Sequence, residues 1–281
     1  MKFTKMQGCG NDYVYVNGFE EKIADEKSTA IKVSNRHFGI GSDGMIIINP
    51  SEIADFEMKM YNADGTRSEM CGNGVRCVGK YVYDFGLTDK TDITVESMGA
   101  IKKLQLNVDD KDNKVKTIRV DMGAPILKCS EVPFICDKEV AIKEPIEVLG
   151  ETYETTCVSM GNPHSVVFIE QNVLDFPLET VGKAFESHSR FPQRVNAEFA
   201  RVIDRKTIEM RVWERGTGET LACGTGSCAT AVAAMLCGLV DNEVTIKLLG
   251  GDLKIEWSQK DGDSVYMTGP AETVFNGEIE V

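Results

Sequence analysis

The sequence predicts an α/β (α+β) protein of two pseudo-symmetric halves, each a mostly antiparallel sheet or barrel wrapped around a central helix. The main observation is that Cys71-Gly72-Asn73-Gly74 recurs as Cys223-Gly224-Thr225-Gly226, at an offset of 223 − 71 = 152 residues. Other landmarks recur at offsets of 151 or 152, namely Gly10-Asn11 with Gly161-Asn162, Gly86-Leu87 with Gly238-Leu239, and Gly99 with Gly250. The inferred order of helices and strands is also the same in both halves. Equivalent cysteines in two such halves can face each other across one cleft, where we expect the active site.

Length and composition are those of a globular protein with two domains. The chain has 281 residues, of which 42% are hydrophobic and 27% are charged, as in ordinary soluble proteins. Its net charge of −13 argues against a general binder of nucleic acid or of membrane surfaces. No apolar run reaches the roughly 18 residues of a membrane helix, and the first residues lack the apolar core of a signal peptide. We therefore expect a cytoplasmic protein with no nucleic-acid or membrane partner.

The nine cysteines are expected to be free thiols that hold no metal. Nine is an odd number, so at least one thiol stays outside any intramolecular disulfide, and no permitted Asn-x-Ser/Thr sequon occurs. Both observations favour a reducing compartment. Cys71 and Cys77 are six residues apart, Cys223 and Cys228 are five apart, and no histidine follows either pair closely. These spacings are not those of a zinc site.

The first half is predicted to span residues 1–122. Periodicity and turn residues indicate, in order, a strand at 13–16, a helix at about 28–37, strands at 45–48 and 56–61, a helix at about 75–85, and strands at 93–96, 103–106 and 117–121. Gly86 follows the second helix at the position where glycine most often ends one. Gly39-x-Gly41-x-x-Gly44 matches the dinucleotide-binding pattern, but a helix precedes it and a strand follows, which is the reverse of the required order.

The second half is predicted to span residues 123–270 and to repeat this order. Its elements are a strand at 166–168, a helix at 178–187, strands at 200–203 and 207–213, a helix at 229–236, and strands at 244–246 and 253–257. The helix at 229–236 is apolar on every face and is therefore expected to be buried. The junction Met122–Pro125 has its counterpart at Thr268–Ala271, so we expect the tail 271–281 to return to the first half.

Each Cys-Gly-x-Gly phrase is typical of a turn that opens a helix. The first N–H groups of a helix have no partner within it and carry the positive end of the dipole. They can bind a carboxylate, and the glycines let that anion approach the backbone. The same field favours a thiolate, so we expect the pKa of each cysteine to be lowered. One such cysteine alone could equally be a buried helix cap or a redox thiol.

The duplication favours proton transfer by two bases. A thiolate on one face of a carbon can remove an α-proton while a thiol on the other face delivers one, which racemises or epimerises the centre without a cofactor. Alignment of the halves pairs Asn62 with Glu214 and Asn11 with Asn162, and His164 follows closely. Amide, carboxylate and guanidinium groups near two thiols suit recognition of ammonium and carboxylate groups.

Five motifs occur in an order known from one enzyme family. They are Gly8-x-Gly10-Asn11-Asp12, Tyr61-Asn62-Ala63-Asp64-Gly65, Cys71-Gly72-Asn73-Gly74-x-Arg76-Cys77, Gly161-Asn162-Pro163-His164, and Glu214-Arg215-Gly216 followed by Ala222-Cys223-Gly224-Thr225-Gly226. Through them the chain resembles the diaminopimelate epimerases along nearly its whole length. The resemblance implies two similar α/β halves and the interconversion of LL- and meso-diaminopimelate, independent of pyridoxal phosphate and of metal, for lysine and cell-wall precursor synthesis.

The resemblance also implies roles for individual residues. Cys71 and Cys223 would be the acid/base thiols, and His164 and Glu214 would assist at the reacting amino acid by binding its ammonium group or tuning the thiols. The carboxylate at the reacting carbon would be held by backbone groups of Gly72, Asn73, Gly224 and Thr225. The distal amino-acid end would be read by Asn11, Asn62, Asn162, Asn196 and Arg215. Gly44 departs from relatives that carry Gln there, so a side-chain contact is absent at that position.

Two other functions remain open on the sequence. Proline and hydroxyproline racemases use the same two-cysteine logic, although the polar set around Asn62 and Arg215 favours a substrate with a second zwitterionic end. A thiol-redox or binding protein could use the same turns without proton transfer. The remaining cysteines are expected in the core, apart from Cys9, which lies close to Asn11 in the sequence. We expect diaminopimelate as the small-molecule partner, no cofactor, and a possible homodimer.

Overall fold

A computed structural model of the protein describes residues 1–68 and 72–281. Cys71, one of the two predicted acid/base cysteines, lies outside the described residues. The chain forms two compact units: unit 1 comprises Met1–Asp121 and Thr268–Val281, and unit 2 comprises Met122–Met267. Within the described ranges, no helix has both the length and the apolar character needed to cross a membrane.

Unit 1 is a mixed, mainly antiparallel sheet with two helices. Its elements are β1 (Lys2–Gly8), β2 (Asn11–Asn17), α1 (Glu26–Ser34), β3 (Gly44–Asn49), β4 (Phe56–Asn62), β5 (Arg67–Ser68), α2 (Gly72–Asp84), β6 (Asp92–Ser97), β7 (Ala100–Asp109), β8 (Lys114–Gly123) and β18 (Glu272–Glu278). β2 runs parallel to β3 and β4 parallel to β6, whereas the other recorded pairings are antiparallel. α2 packs on β1, β2 and β7. The tail strand β18 pairs with β1, which the sequence pattern did not identify as a strand.

Unit 2 repeats this arrangement. Its elements are β9 (Glu144–Val148), β10 (Glu151–Ser159), β11 (Pro163–Phe168), a 3₁₀ turn (Val173–Asp175), α3 (Leu178–Glu186), β12 (Asn196–Asp204), β13 (Thr207–Glu214), β14 (Gly218–Glu219), α4 (Gly224–Leu236), β15 (Glu243–Leu248) and β16 (Gly251–Glu256), with β17 (Val265–Pro270) at the boundary. β11 runs parallel to β12 and β13 parallel to β15. α4 packs on β10, β11 and β12.

The register of the strands confirms the predicted duplication. In unit 1, Tyr13 of β2 lies opposite Gly44 of β3. In unit 2, His164 of β11 lies opposite Asn196 of β12. These residue pairs differ by 151 and 152 positions, the offsets found in the sequence. Each parallel pair is followed by an antiparallel neighbour, β4 or β13. The two units are therefore copies of one α/β architecture.

The central helices are equivalent from the first residue to the last. α2 and α4 contain 13 residues each. Each ends in the same reverse turn, in which Leu87 N–H donates to Val82 O and Leu239 N–H donates to Ala234 O, at 2.8 and 3.0 Å. Residues 229–235 of α4 are all buried, which confirms the burial expected from its apolar composition.

The helix boundaries differ from the sequence prediction in two respects. α2 and α4 begin three to five residues earlier than predicted, since 75 − 72 = 3 and 229 − 224 = 5, because the Gly-x-Gly residues themselves form the first turn. α1 ends at Ser34 instead of His37. There, the Asn35 side chain accepts hydrogen bonds from the N–H groups of His37 and Phe38, both at 2.9 Å, and this local turn replaces the helix.

Candidate active site

Cys223 caps the N-terminus of α4. Its backbone is extended (φ −125°, ψ 113°), and its carbonyl accepts the Ser227 N–H at 2.9 Å, which begins the helix. The Gly226 N–H donates to Sγ at 3.4 Å, and Thr225 Oγ1 lies 3.5 Å from Sγ. The remaining first-turn N–H groups, those of Gly224 and Thr225, have no acceptor within the helix. The turn therefore presents a thiol and anion-binding backbone groups together.

The Cys223 thiol is held in its protonated form. Burial raises its pKa well above the ordinary value, and the carboxylates of Glu214 and Glu198 raise the pKa further. Hydrogen bonds from Thr225 and Gly226 lower the pKa by less. The predicted lowering of the pKa is therefore wrong for Cys223, because the residue is only 7% exposed and desolvation disfavours the thiolate. Cys223 is a thiol at neutral pH.

A hydrogen-bonded chain connects this thiol to a buried histidine. Asn162 Nδ2 donates to Thr225 Oγ1 at 3.3 Å, and Asn162 Oδ1 lies 3.0 Å from His164 Nε2. On its other side, His164 Nδ1 lies 2.6 Å from Glu198 Oε1. His164 and Glu198 are both fully buried. The strand pair β11 and β12 brings them together, because both side chains lie on the sheet face toward α4.

Because Gly226 has no side chain, the Glu198 carboxylate and the Cys223 thiol can both lie close to its backbone. A Cβ at this position would lie 2.7 Å from Glu198 Oε1 and 3.2 Å from Cys223 Sγ. Both separations are shorter than ordinary van der Waals contact. The second glycine of the Cys-Gly-x-Gly phrase is therefore required by the packing around Sγ.

Three further predicted residues are joined to the same region. Asn196 Nδ2 donates to Pro163 O at 3.0 Å, and Asn196 Oδ1 accepts the Arg215 N–H at 2.9 Å. Glu214, the neighbour of Arg215, accepts a hydrogen bond from the Thr220 hydroxyl. The structure thus brings together most of the site residues predicted in unit 2, namely Asn162, His164, Asn196, Glu214, Cys223, Gly224 and Thr225. Arg215 joins them through its backbone, whereas its guanidinium donates to Gln193 O at 3.1 Å.

In unit 1, Gly72 and Asn73 form the first turn of α2. The guanidinium of Arg76, a fully buried residue, donates to Asn73 Oδ1 at 3.0 Å and to Gly72 O at 3.2 Å. It also donates to Pro270 O at 3.1 Å. Arg76 occurs in the recognised motif but was not predicted as a site residue. Its burial gives it a role in fixing the helix start that follows Cys71.

Asn11 and Asn62 are held by different parts of unit 1. Asn11 Nδ2 donates to Asp43 Oδ2 at 2.7 Å, and the exposed Arg36 bridges Asp43 and Asp12 at 2.9 and 2.8 Å. Asn62 Nδ2 donates to Thr66 Oγ1 at 3.0 Å in the hairpin between β4 and β5. Both amides are therefore oriented by neighbouring side chains, and their contacts to a substrate stay predictions.

The backbone around Gly44 leaves no room for a side chain. A Cβ on Gly44 would lie 2.1 Å from Tyr61 O and 2.7 Å from Tyr13 Cε1. A glutamine at this position therefore requires a different course of β4 at Tyr61. The predicted absence of a side-chain contact at Gly44 follows from the packing of these strands.

Glu198 was not among the site residues predicted from the sequence. The feature that could have identified it is a single acidic residue in the strand sequence Asn196-Ala197-Glu198-Phe199-Ala200, in which every residue is buried. A charged residue in such a run is rarely left without a partner. Among the described residues, no group of three or more His, Cys, Asp or Glu side chains is arranged to hold a metal ion.

The family sequence model that matches the chain is that of diaminopimelate epimerase, over residues 3–128 and 156–274. The chain belongs to the diaminopimelate epimerase family. It is 57% identical over 281 residues to the diaminopimelate epimerase of Acetivibrio thermocellus, covering 100% of this chain and 99% of that protein. It is 54% identical to the diaminopimelate epimerase of Methanococcus maripaludis strain S2, covering 100% of both.

Solved structures share the fold of this diaminopimelate epimerase family member. A phenazine biosynthesis protein of the PhzF family from Bacillus anthracis has a TM-score of 0.72 at 17% identity, covering 100% of this chain and 99% of that chain. A probable proline racemase from Agrobacterium radiobacter K84 has a TM-score of 0.70 at 13% identity, covering 100% and 93%. At these identities the likeness concerns the fold alone.

Proposed function

We propose that this protein interconverts LL-2,6-diaminopimelate and meso-2,6-diaminopimelate by acid–base chemistry of its own cysteines at one α-carbon. The observation that carries this proposal is the buried Cys223 thiol at the start of α4, linked through Asn162 to His164, in a chain of this family. A diaminopimelate epimerase is an isomerase of lysine biosynthesis. Membership at more than half identity over the full length favours this substrate over proline or hydroxyproline.

In the proposed reaction, two cysteines exchange roles with the direction of reaction. A thiolate takes the α-proton from one face, and a thiol gives a proton to the opposite face, which inverts the configuration. Because burial and two carboxylates keep Cys223 protonated, we assign it as the proton donor of the resting enzyme. Cys71 is then the base for that direction, and the assignments reverse in the other direction.

The carboxylate of the reacting amino acid is proposed to bind at the helix starts. The N–H groups of Gly224 and Thr225 lie in the first turn of α4, and those of Gly72 and Asn73 lie in the first turn of α2. Hydrogen bonds to the carboxylate stabilise the negative charge that develops when the α-proton leaves. Preorganised N–H groups are well suited to stabilise this developing charge.

The ammonium group of the reacting centre is proposed to bind Glu214. Its carboxylate is one of the two charges that raise the pKa of Cys223. A bound ammonium group would offset that charge and so ease loss of the Cys223 proton to the substrate. The distal amino-acid end is assigned to Arg215 and to the amides of Asn11, Asn62, Asn162 and Asn196.

Proton exchange in heavy water tests this function directly. The protein is incubated in D₂O with LL-diaminopimelate, meso-diaminopimelate or L-proline, and deuterium at the α-carbon is measured together with stereoisomer composition. We expect exchange and approach to an LL/meso equilibrium with diaminopimelate only. Exchange with proline would instead support the racemase alternative, and no exchange with either substrate would contradict both.

We also propose that the protein works in the cytoplasm. The eight cysteines among the described residues are all free thiols, which suits a reducing compartment. Mass spectrometry of the protein with and without reductant would reveal any disulfide. A homodimer remains a prediction, for which the mass measured by light scattering in solution is the test.

A further inference from the structure

Unit 2 contains a buried acidic group that the reaction described above uses only as a charge near Cys223. Glu198 is fully buried in β12. Its Oε1 lies 2.6 Å from His164 Nδ1, and its Oε2 has no hydrogen-bond partner among the described residues. Burying a carboxylate with one oxygen unsatisfied is unfavourable. Such a group needs a reason beyond packing.

The fold does not require a charged pair at this place. At the same register in unit 1, β2 and β3 carry Tyr13 and Ile46 where β11 and β12 carry His164 and Glu198. Tyr13 and Ile46 are also buried. The same strand pair, packed beside an equivalent helix, therefore forms with uncharged residues. The His164–Glu198 pair is a property of unit 2 alone.

Counting protons along the chain shows what Glu198 fixes. Asn162 donates its Nδ2 protons toward Thr225 Oγ1, so its Oδ1 accepts a proton from His164 Nε2. His164 Nε2 must then carry hydrogen, and one further proton lies between Nδ1 and Glu198 Oε1. Since Thr225 Oγ1 accepts from Asn162, its own hydroxyl hydrogen is available to donate to Cys223 Sγ, 3.5 Å away. The direction of every bond in the chain thus depends on hydrogen at Nε2, which the imidazole carries when Nδ1 and the acidic Glu198 side chain share the further proton.

We propose that Glu198 is a positioning residue for the epimerase reaction: by sharing a proton with His164 Nδ1, it fixes the direction of the His164–Asn162–Thr225 chain, so that a hydroxyl donates to the Cys223 sulfur. This donation stabilises the thiolate that Cys223 becomes after it has given up its proton. The proposal rests on the proposed function for its kinetic consequence but not for its structural one.

The groups that face Cys223 define the expected pH response. They are Glu214 from β13, Glu198 from β12 and Thr225 with the backbone of Gly226 from α4, while His164 from β11 faces Glu198. Replacing Glu198 by glutamine keeps a polar group against Nδ1 but removes the acidic group that shares a proton with it, so both the charge near the sulfur and the direction of the Thr225 hydroxyl change. We therefore expect the limb of the kcat–pH profile that reports Cys223 to shift.

The first test observes the proton itself in the unmodified protein. The chain has only three histidines, His37, His164 and His188, so their ring signals can be separated by ¹H–¹⁵N NMR. We expect one strongly downfield proton on Nδ1, lost in His164→Asn and shifted in Glu198→Gln. A wild-type spectrum without such a proton on His164 would overturn the proposal, whatever the activity.

The second test is kinetic and has a matched control. Glu144→Gln removes a carboxylate that is also in unit 2 and little exposed, but is paired with Arg190 and Lys138. We expect Glu198→Gln to lower kcat by about 10- to 100-fold in both directions, by analogy with the loss on removing a carboxylate that orients a metal-ligating histidine, with little change in KM. Glu198→Ile, which copies Ile46 of unit 1, should fold and lose more activity. The control should keep wild-type kcat and pH profile.

The outcomes separate the two proposals. An inactive wild-type protein that shows the His164 proton would contradict the proposed function but not the role of Glu198 in fixing the histidine. An active wild-type protein whose kcat and pH profile are unchanged by Glu198→Gln would overturn the proposal for Glu198. A loss of activity in Glu144→Gln equal to that in Glu198→Gln would also overturn it, because the effect would then be one of stability.

Discussion

Arg76 donates a hydrogen bond to Asn73 Oδ1 at 3.0 Å from a fully buried position. The equivalent position in α4 is Cys228, since 228 − 76 = 152. The two central helices thus have the same length and equivalent positions, but different side-chain contacts at their first turns. In unit 1 a guanidinium fork orients the side chain beside the helix start, whereas in unit 2 the capping thiol itself accepts the helix N–H of Gly226.

Arg76→Lys is expected to weaken unit 1 and substrate binding together. A lysine offers one point charge and cannot reach the acceptors on Asn73, Gly72 and Pro270 at once. Loss of charge-assisted hydrogen bonds should lower the free energy of unfolding by about 2 kcal/mol and raise KM through Asn73. Chemical denaturation and initial-rate kinetics measure the two effects. Arg205→Lys at an exposed ion pair is the control, and an equal stability loss there would contradict the account.

Gly226→Ala is expected to reduce activity more than stability explains. Its Cβ would meet Glu198 Oε1 and Cys223 Sγ, and forcing a methyl group into this space should cost about 1–3 kcal/mol while displacing the thiol. Gly238→Ala is the control at the other end of α4. Gly238 has φ +70° with nothing near its Cβ position, so it should lose about 1 kcal/mol and keep kcat. Equal kcat values in the two variants would count against the packing argument.

Glu214→Gln is expected to make Cys223 react at lower pH. The Glu214 carboxylate helps to raise the pKa of the thiol, so its neutralisation should lower that pKa and shift the alkylation profile downward. Alkylation of the Cys223 peptide by iodoacetamide, followed by mass spectrometry across pH, is the measurement. Glu209→Gln, whose carboxylate pairs with Arg201, should leave the profile in place. An upward shift in Glu214→Gln would reverse the assigned sign.

Cys71→Ala and Cys223→Ala are each expected to abolish epimerisation. Each removes one of the two groups needed to take and return the α-proton. Stereoisomer composition after prolonged incubation is the measurement. Cys136→Ala, which alters a half-buried thiol outside the proposed site, should keep full turnover. A single catalytic-cysteine variant that still converts LL to meso substrate would disprove the two-base assignment.

Asp12 is expected to contribute to acid stability. Burial raises the pKa of Asp12, but hydrogen bonds from Arg36 and Lys5 outweigh it and leave the pKa below the ordinary 3.8. A lowered folded-state pKa contributes stability above the unfolded value, and this contribution is lost as pH falls through the folded value. Unfolding midpoints of Asp12→Asn should therefore depend less on pH below about 4. Asp110→Asn, in an exposed turn, should follow the wild-type dependence.

Periodicity and repetition were sufficient for the framework of the fold. The offset of 152 residues predicted two equivalent helices, and the structure confirms them as α2 and α4. β1 was missed because Lys2-Phe3-Thr4-Lys5-Met6 shows no alternation. There, Lys5 is buried and pairs with Asp12 of β2. The buried charge of Lys5 is stabilised by a carboxylate of another strand, which the pattern of β1 alone does not show.

Two properties of the site depend on burial and on tertiary contacts, so the spacing of residues in the sequence could not predict them. A helix start favours a thiolate, yet Cys223 lies deep enough for desolvation to dominate. Glu198 contacts His164 only because β11 and β12 pair in parallel. Motif comparison identified residues that precede or follow turns, whereas these two properties arise from contacts between distant segments.

The pairing of β1 with β18 sets an order of events during synthesis on the ribosome. Residues 2–8 are synthesised well before the strand at 272–278 that lies beside them. All of unit 2, residues 122–267, is made in between and can fold as soon as it leaves the exit tunnel. One edge of β1 thus stays uncovered until unit 2 and then β18 have been synthesised.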